Sequence, residues 1–183
     1  MKNEITSLVI RSKNGDSEAF GSLYELFAPE MYRYSLVMVK DEETAKDCVN
    51  EAALEAYKSI KLLRDTSAFK GWLFRILNAC CKRNFTSNLK NSDMLRIDDE
   101  GVHTEVSSTE VDTELSMDMQ RALSTLDDIE RQIVMLSVVY DYTSREIADI
   151  VNINSSTVRT KLKRALTKCK DYMERGEKCE INQ

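Results

Sequence analysis

Apolar residues recur at helical spacing soon after the start of the chain. Over residues 17–27 they mark one face of a helix, formed by Phe20, Leu23, Tyr24 and Phe27. Asp16 precedes this segment, and its carboxylate can accept hydrogen bonds from the free amides of a first helical turn. Pro29 suits the first turn of a second helix over residues 30–39. The pattern therefore predicts two short helices before residue 40.

A third helix is predicted over residues 41–60, because the acidic run that begins at Asp41 complements a helix amino terminus. Its apolar stripe consists of Ala45, Val49, Ala52, Ala56 and Ile60. Three carboxylates, spaced four residues apart, lie on another face: Asp47, Glu51 and Glu55. Like charges at this spacing repel one another, so they form either a solvated face or a binding site for a basic partner.

Residues 61–67 read as a loop, with Thr66 or Ser67 capping a fourth helix that continues to about residue 88. The apolar residues expected to pack inward are Trp72, Ile76 and Leu77. The basic residues expected on the outside are Lys70, Arg75, Lys82 and Arg83. Residues 91–116 then lose the helical period and fill with Asp, Glu, Ser and Thr, which predicts an acidic flexible linker.

Beyond the linker the pattern predicts one helix over residues 118–124. A second, more apolar helix follows residues 126–128 and ends at residue 139. Thr143 and Glu146 have the spacing of a capping box that opens a helix over residues 144–151. A three-residue turn, in which Asn152 suits a left-handed backbone, leads to a longer basic helix capped by Ser155. Two helices joined by such a turn form a helix-turn-helix.

Apolar positions assign the two faces of this motif. The inner positions are Ile147, Ala148, Val151, Ile153, Val158 and Leu162. The outward or edge positions are Ser156, Thr157, Arg159, Thr160, Lys161, Lys163 and Arg164. A helix of this kind fits the DNA major groove, where Arg can bond two guanine acceptors and other cations can bond phosphates. The alternative is an amphipathic helical hairpin with a charged surface.

Charge is distributed unevenly along the chain. The formal net charge is −5, but residues 1–90 carry +2, residues 91–116 carry −7 and residues 117–183 are neutral. Basic residues cluster at residues 58–90 and 150–170, which suits either two contacts with an anionic polymer or two solvated helix faces. Only five Gly and one Pro occur, which favours helices over many-stranded sheets.

Five cysteines and a single histidine, His103, offer neither a disulfide framework nor zinc-ligand spacing. Packing in the fourth helix is the favoured role of Cys80 and Cys81. We expect no metal and no cofactor. No apolar run resembles a signal peptide or a membrane span, so a cytoplasmic protein with reduced thiols is expected.

Together these motifs resemble the extracytoplasmic-function (ECF) subfamily of sigma-70 family RNA polymerase sigma factors. The C-terminal likeness lies in Thr143-Ser144-Arg145-Glu146-Ile147-Ala148 and Ser156-Thr157-Val158-Arg159-Thr160-Lys161-Leu162-Lys163-Arg164-Ala165. The N-terminal likeness lies in Gly15-Asp16, Ala19-Phe20, Leu23-Tyr24, Asp47, Val49-Asn50-Glu51-Ala52, Ala56-Tyr57 and Phe69-Lys70-Gly71-Trp72-Leu73-Phe74-Arg75-Ile76. Asn50 departs from the Gln usual in the family. The expected fold is all-α, with a four-helix N-terminal domain (1–90), an acidic linker (91–116) and a C-terminal helix-turn-helix domain (117–183).

The resemblance implies a non-enzymatic factor that binds core RNA polymerase and directs initiation at promoters with −10 and −35 elements. It implies polymerase binding by Asp47, Asn50, Glu51, Leu54 and Glu55. It implies −10 recognition by Lys61, Arg64, Asp65, Ser67, Phe69, Lys70, Trp72 and Arg75. It implies −35 recognition by Ser156, Thr157, Arg159, Thr160, Lys161, Lys163 and Arg164. An anti-sigma factor is implied as a further partner.

Two other classes of protein are alternatives to this interpretation. A conventional helix-turn-helix regulator would bind duplex DNA without polymerase, and the C-terminal motif alone is compatible with it. A phosphoacceptor or catalytic protein finds no support, since no Gly-rich phosphate loop, nucleophile–base pair or paired-carboxylate pocket is apparent. Trp72 and Phe74 suit core packing better than base stacking.

Overall fold

The computed structural model describes residues 2–93 and 117–180, and within these two ranges every regular element is a helix. The first unit, Met1–Val102, contains α1 (Lys2–Lys13), α2 (Ser17–Val39), α3 (Glu42–Ser59) and α4 (Phe69–Asp93). The second unit, His103–Gln183, contains α5 (Met117–Ser124), α6 (Asp128–Val134), α7 (Ser144–Val151) and α8 (Ser155–Glu180). The predicted all-α class with two helical units is confirmed. No helix in the described ranges is long and apolar enough to cross a membrane.

The prediction of two helices around Pro29 was wrong, because α2 runs unbroken through that residue. A proline inside a helix removes one backbone hydrogen bond and costs about 3 kcal/mol. The apolar face continues past it, however, with Phe27, Met31 and Tyr34 all at most 3% exposed. Burial of such side chains contributes about 1.5–3 kcal/mol each, so packing of this face outweighs the local cost of Pro29.

Helix α1 was absent from the sequence-based prediction. It packs against α2, and its inward side chains Val9 and Ser12 are buried. The first unit thus has four α-helices as expected, but only because α1 offsets the merging of two predicted helices into α2. Gly15, at φ +96°, turns the chain between α1 and α2 in a conformation that other residues rarely adopt.

Helices α2, α3 and α4 pack against one another around the core of the first unit. The predicted α3 stripe is confirmed, with each of its five residues at most 5% exposed. From α4, Phe74 packs edge-on against Tyr34, with ring centroids 5.6 Å apart. The Tyr34 hydroxyl donates to Asn78 Oδ1 at 3.1 Å, so this buried polar pair is satisfied. Ile76 and Leu77 are buried as predicted, whereas Trp72 is only half-buried.

Helix α4 continues to Asp93 and so includes the first three residues of the predicted linker. The rest of that segment, residues 94–116, lies outside the described residues. The second unit begins its described part at α5. Its helices α5, α6 and α7 each pack against α8.

Capping determines where the helices of the second unit begin. Thr143 and Glu146 form the predicted capping box, with Thr143 N–H donating to Glu146 Oε2 at 2.8 Å. A second capping box, not predicted, joins Asp127 and Glu130 at the start of α6. The prediction that Ser155 caps α8 was wrong, because Ser155 is already the first helical residue. A single π-helical turn, Met135–Val139, follows α6.

Candidate functional site

The helix-turn-helix is formed by α7, a three-residue turn and α8. Asn152 ends α7 in the left-handed conformation at φ 60°, as predicted. The Ile153 N–H donates to the Ala148 carbonyl at 3.1 Å, which closes the turn, and the Ile153 side chain is half-buried. Ile147 and Val158 are fully buried between the two helices. The rigid turn and this contact fix which face of α8 points outward.

The basic face of α8, defined here as Arg159, Lys163 and Arg164, is exposed to solvent. None of these three cations forms an ion pair among the described residues. Ser156, Thr157 and Thr160 are exposed beside them, and the Thr160 hydroxyl donates to the Ser156 carbonyl at 3.1 Å. The face can therefore present unpaired cations and hydroxyls to an anionic partner.

Two other lysines of α8 point towards α6 instead. Lys168 Nζ lies 2.7 and 2.9 Å from the two carboxylate oxygens of Glu130, whose side chain is only 6% exposed. Lys161 Nζ lies 3.5 Å from Asp127 Oδ2. Since Asp127 and Glu130 form the capping box of α6, these lysines join the start of that helix to α8. Lys161 was among the predicted DNA-binding residues, and the structure places it at the edge of the basic face.

The α3–α4 loop, residues 60–68, consists of two short 3-10 turns, Ile60–Leu62 and Thr66–Ala68, separated by three residues. Ile60 and Leu63 are buried and anchor it, whereas Lys61 and Arg64 are exposed. Asp65 caps the second turn by accepting from Ser67 Oγ at 2.7 Å and Ser67 N–H at 2.9 Å. These bonds hold the pKa of Asp65 below its ordinary value.

The predicted −10 residues of α4 differ in their placement. Phe69 is 2% exposed and packs against Phe27 and Trp72, so it supports the loop from the core. Lys70 lies 3.0 Å from a carboxylate oxygen of Glu30. Arg75 is exposed, and Trp72 is half-buried. The structure brings Lys61, Arg64, Asp65 and Ser67 together on one loop and leaves Phe69 beneath it.

Sequence reasoning missed Leu62, whose side chain is 79% exposed at the end of the first 3-10 turn. It is the most exposed of the large apolar residues described. The signal was the Leu62-Leu63 pair itself, because adjacent side chains point in different directions and a short loop buries one of them more readily than both.

The carboxylate stripe of α3, Asp47, Glu51 and Glu55, is exposed, as are Asn50 and Leu54. Leu54 is 60% exposed, an apolar side chain among charges. The five residues predicted for polymerase binding therefore share one accessible surface. A mixed apolar and acidic patch of this kind suits a partner that offers both cations and an apolar contact.

Arg83 is exposed, as predicted, but its guanidinium is paired with two carboxylates of the stripe. Its Nη2 lies 2.9 Å from Glu51 Oε1 and 3.1 Å from Glu55 Oε2. Asn84 Nδ2 donates to the other Glu51 oxygen at 3.2 Å. The bonds to Glu51 and then Glu55 raise the pKa of Arg83. Arg83 thus relieves the repulsion expected within the stripe, while Asp47 has no such partner among the described residues.

The cysteines of α3 and α4 are free thiols in the core, as predicted for Cys80 and Cys81. Burial raises the pKa of Cys80 to about 12. A hydrogen bond with Cys48 and burial raise the pKa of Cys81, while the same bond lowers that of Cys48. Within the described ranges, no three His, Cys, Asp or Glu residues converge as metal ligands.

Comparison with known families gives two matches. The family model described as Sigma-70 region 2 matches residues 23–90, which include α3, the α3–α4 loop and most of α4. The model described as Sigma-70, region 4 matches residues 116–169, which include the helix-turn-helix. Together the two matches span about two thirds of the chain, with region 2 before region 4.

The chain is also similar to individual proteins that are RNA polymerase sigma factors. The chain is 29% identical over 137 residues to RNA polymerase sigma factor SigV of Bacillus subtilis, covering 75% of this chain and 80% of that one. It is 26% identical to ECF RNA polymerase sigma factor SigW of the same organism, covering 90% and 94%. It is 28% identical to the ECF RNA polymerase sigma-E factor of Haemophilus influenzae, covering 87% and 89%.

Two solved structures share the fold. CnrH in complex with the cytosolic domain of CnrY has a TM-score of 0.69 at 16% identity, covering 93% of this chain and 97% of that one. The sigma factor RpoE of Bartonella quintana, in complex with the anti-sigma factor NepR, has a TM-score of 0.65 at 20% identity, covering 85% and 96%. At these identities the likeness concerns the fold alone.

Proposed function

The chain belongs to the ECF subfamily of the sigma-70 family of RNA polymerase sigma factors, and on that basis we propose that it binds core RNA polymerase and directs it to specific promoters. The observation that carries this proposal is the pair of family matches, one on each helical unit. A conventional helix-turn-helix regulator would account for the second unit alone. It would leave the region 2 match over residues 23–90 unexplained.

Residues 1–90, within the first unit, are proposed to bind polymerase and the −10 element. The carboxylate stripe, with Asn50 and Leu54, offers acidic and apolar groups to a basic surface of the polymerase. The α3–α4 loop and the exposed side of α4 would contact the single strand, since exposed cations such as Lys61, Arg64 and Arg75 suit its phosphates. Residues 91–116 would serve as the acidic linker between the units.

Residues 117–183, within the second unit, are proposed to recognise the −35 element as duplex DNA. The basic face of α8 would enter the major groove, with Arg159 reading a base edge and neighbouring cations contacting phosphates. Its three cations favour this role, because none of them forms an ion pair with another of the described residues. Lys161 and Lys168 would mainly hold the orientation of α8 against α6, and they would contribute less to DNA binding.

We further propose that the protein catalyses no reaction itself and works where the polymerase is, in the cytoplasm. Binding energy alone would position the polymerase and open DNA. An anti-sigma factor is the proposed inhibitory partner, because the structurally similar RpoE of Bartonella quintana is found in complex with the anti-sigma factor NepR. Such a partner would compete with polymerase or DNA for the surfaces described above.

Two experiments test the proposal. Run-off transcription with purified chain, core polymerase and a randomised promoter library should yield initiation at a defined set of sequences, and no initiation without the chain. A gel shift on the selected duplex, with and without core polymerase, distinguishes the alternative regulator. Tight binding by the chain alone, with no effect of polymerase, would refute the sigma-factor proposal.

A further inference from the structure

Helix α1 lies before the region 2 match, which begins at residue 23, yet it contacts the α3–α4 loop. It packs against both 3-10 turns of that loop. Lys13, in the last turn of α1, donates from Nζ to the Leu63 carbonyl, 50 residues further along the chain. A charged donor to a backbone carbonyl is stronger than a neutral one. This bond ties α1 to the three residues that separate the two turns.

The backbone around Lys13, at the end of α1, is held by hydrogen bonds and an ion pair. Just after it, the amide groups of Gly15 and Asp16 donate back to carbonyls of Ser12 and Arg11. Arg11 and Asp16 form an ion pair at 2.6 Å, and Asp16 also caps α2. The end of α1 is therefore fixed to the start of α2, so the backbone from which the Lys13 side chain extends is held in place.

Leu63 is where the loop changes direction. Its backbone is extended, at φ −65° and ψ 114°, between the two 3-10 turns. Its side chain is 6% exposed, while that of the preceding Leu62 is 79% exposed. The Leu63 carbonyl belongs to the peptide that joins Leu63 to Arg64. Rotation of that peptide would therefore redirect the exposed side chain of Arg64.

We propose that Lys13 is a positioning residue for the α3–α4 loop. By binding the Leu63 carbonyl, it fixes the Leu63–Arg64 peptide, keeps Arg64 turned towards the promoter strand and thereby sharpens selection of the −10 element. This inference rests on the proposed function of the loop. It makes α1 a support of the recognition surface rather than a part of it.

The test uses the full chain with core polymerase, on a promoter selected for the wild type and its single-base variants. Lys13→Met removes the donor but keeps the length of the side chain, and Lys13→Arg keeps a charged donor. Lys40→Met removes the same charge from an exposed position outside the proposed surfaces. Lys13→Met should lower initiation by about threefold to tenfold and reduce discrimination among −10 variants, while −35 discrimination is unchanged. Lys13→Arg should restore both, and Lys40→Met should match the wild type.

A uniform loss across all −10 variants would indicate a phosphate contact by Lys13 and would overturn the positioning role, as would unchanged −10 discrimination. If the wild type itself initiates nowhere, the proposed function fails and this inference fails with it. Amide hydrogen exchange on the free full-length protein gives a reading without polymerase. Exchange should be faster over residues 61–68 in Lys13→Met and unchanged over residues 156–165. Unchanged exchange in the loop would also overturn the inference.

Discussion

Lys163 and Lys168 lie on the same helix and carry the same charge, but their surroundings differ. Lys163 is exposed on the basic face of α8 and has no ion pair among the described residues. Lys168 contacts Glu130, a carboxylate that is 6% exposed and also closes the start of α6. The substitutions Lys163→Met and Lys168→Met remove equal charge, so each variant serves as the control for the other.

For Lys163→Met we expect the salt dependence of DNA binding to weaken. Loss of one phosphate contact lowers the slope of log K against log salt by about 0.9, equivalent to about 3.5-fold between roughly 50 and 200 mM salt. Lys168→Met should leave that slope within error of the wild type. It should instead reduce the free energy of unfolding of the second unit by about 1–2 kcal/mol, because Glu130 loses a charged donor while solvent reaches only part of the site.

The assay measures binding of the polymerase-bound chain to promoter DNA over a series of salt concentrations, together with urea unfolding of each free variant. Equal changes in slope for the two substitutions would refute the reasoning, because they would show that the bond to Glu130 does not withhold Lys168 from DNA. An unfolding midpoint for Lys168→Met equal to that of the wild type would refute the prediction that the bond from Lys168 to Glu130 stabilises the second unit. Lys163→Met should leave unfolding unchanged.

Three further predictions concern other sites. Arg159→Ala should weaken a base contact by about 1–3 kcal/mol and relax selectivity at one −35 position, measured by competition among promoter variants; unchanged selectivity would contradict it. Reversing the charge of Asp47 and Glu51 to Lys should reduce co-purification with core polymerase while the circular dichroism spectrum is retained, and recovery at wild-type yield would mean a merely solvated face. Hydrogen bonds from the Ala19 N–H and then from Arg11 lower the pKa of Asp16 from its ordinary value of 3.8. The ionised Asp16 therefore contributes fully to stability above pH 3.8, and this contribution is lost as the pH falls below that value. Asp16→Asn, which keeps a capping acceptor, should remove this part of the acid dependence of thermal unfolding.

The helix-turn-helix was predictable because its determinants are local. Thr143 and Glu146 are three residues apart, and Asn152 adopts the left-handed conformation by its own preference. These signals act over distances that a short window of sequence contains. The start of α7, its end and the inward faces around Ile147 and Val158 therefore agree with the structure.

Other features depend on contacts that sequence spacing does not contain. Pro29 is a local helix breaker, and only the buried face on both sides of it explains why α2 continues. Helix α1 presents Ser12 where a helical stripe would have an apolar residue, so its inward face was overlooked. Arg83 reaches Glu51 and Glu55 from 32 and 28 positions away, a pairing set by how α3 and α4 pack.

The guanidinium shared by Glu51 and Glu55 changes what a partner gains at that surface. A cation arriving there replaces one that is already present, so the count of ion pairs stays nearly constant and little Coulomb energy is released. The decisive contributions then shift to Asp47, which has no internal counter-ion among the described residues, and to the exposed Leu54.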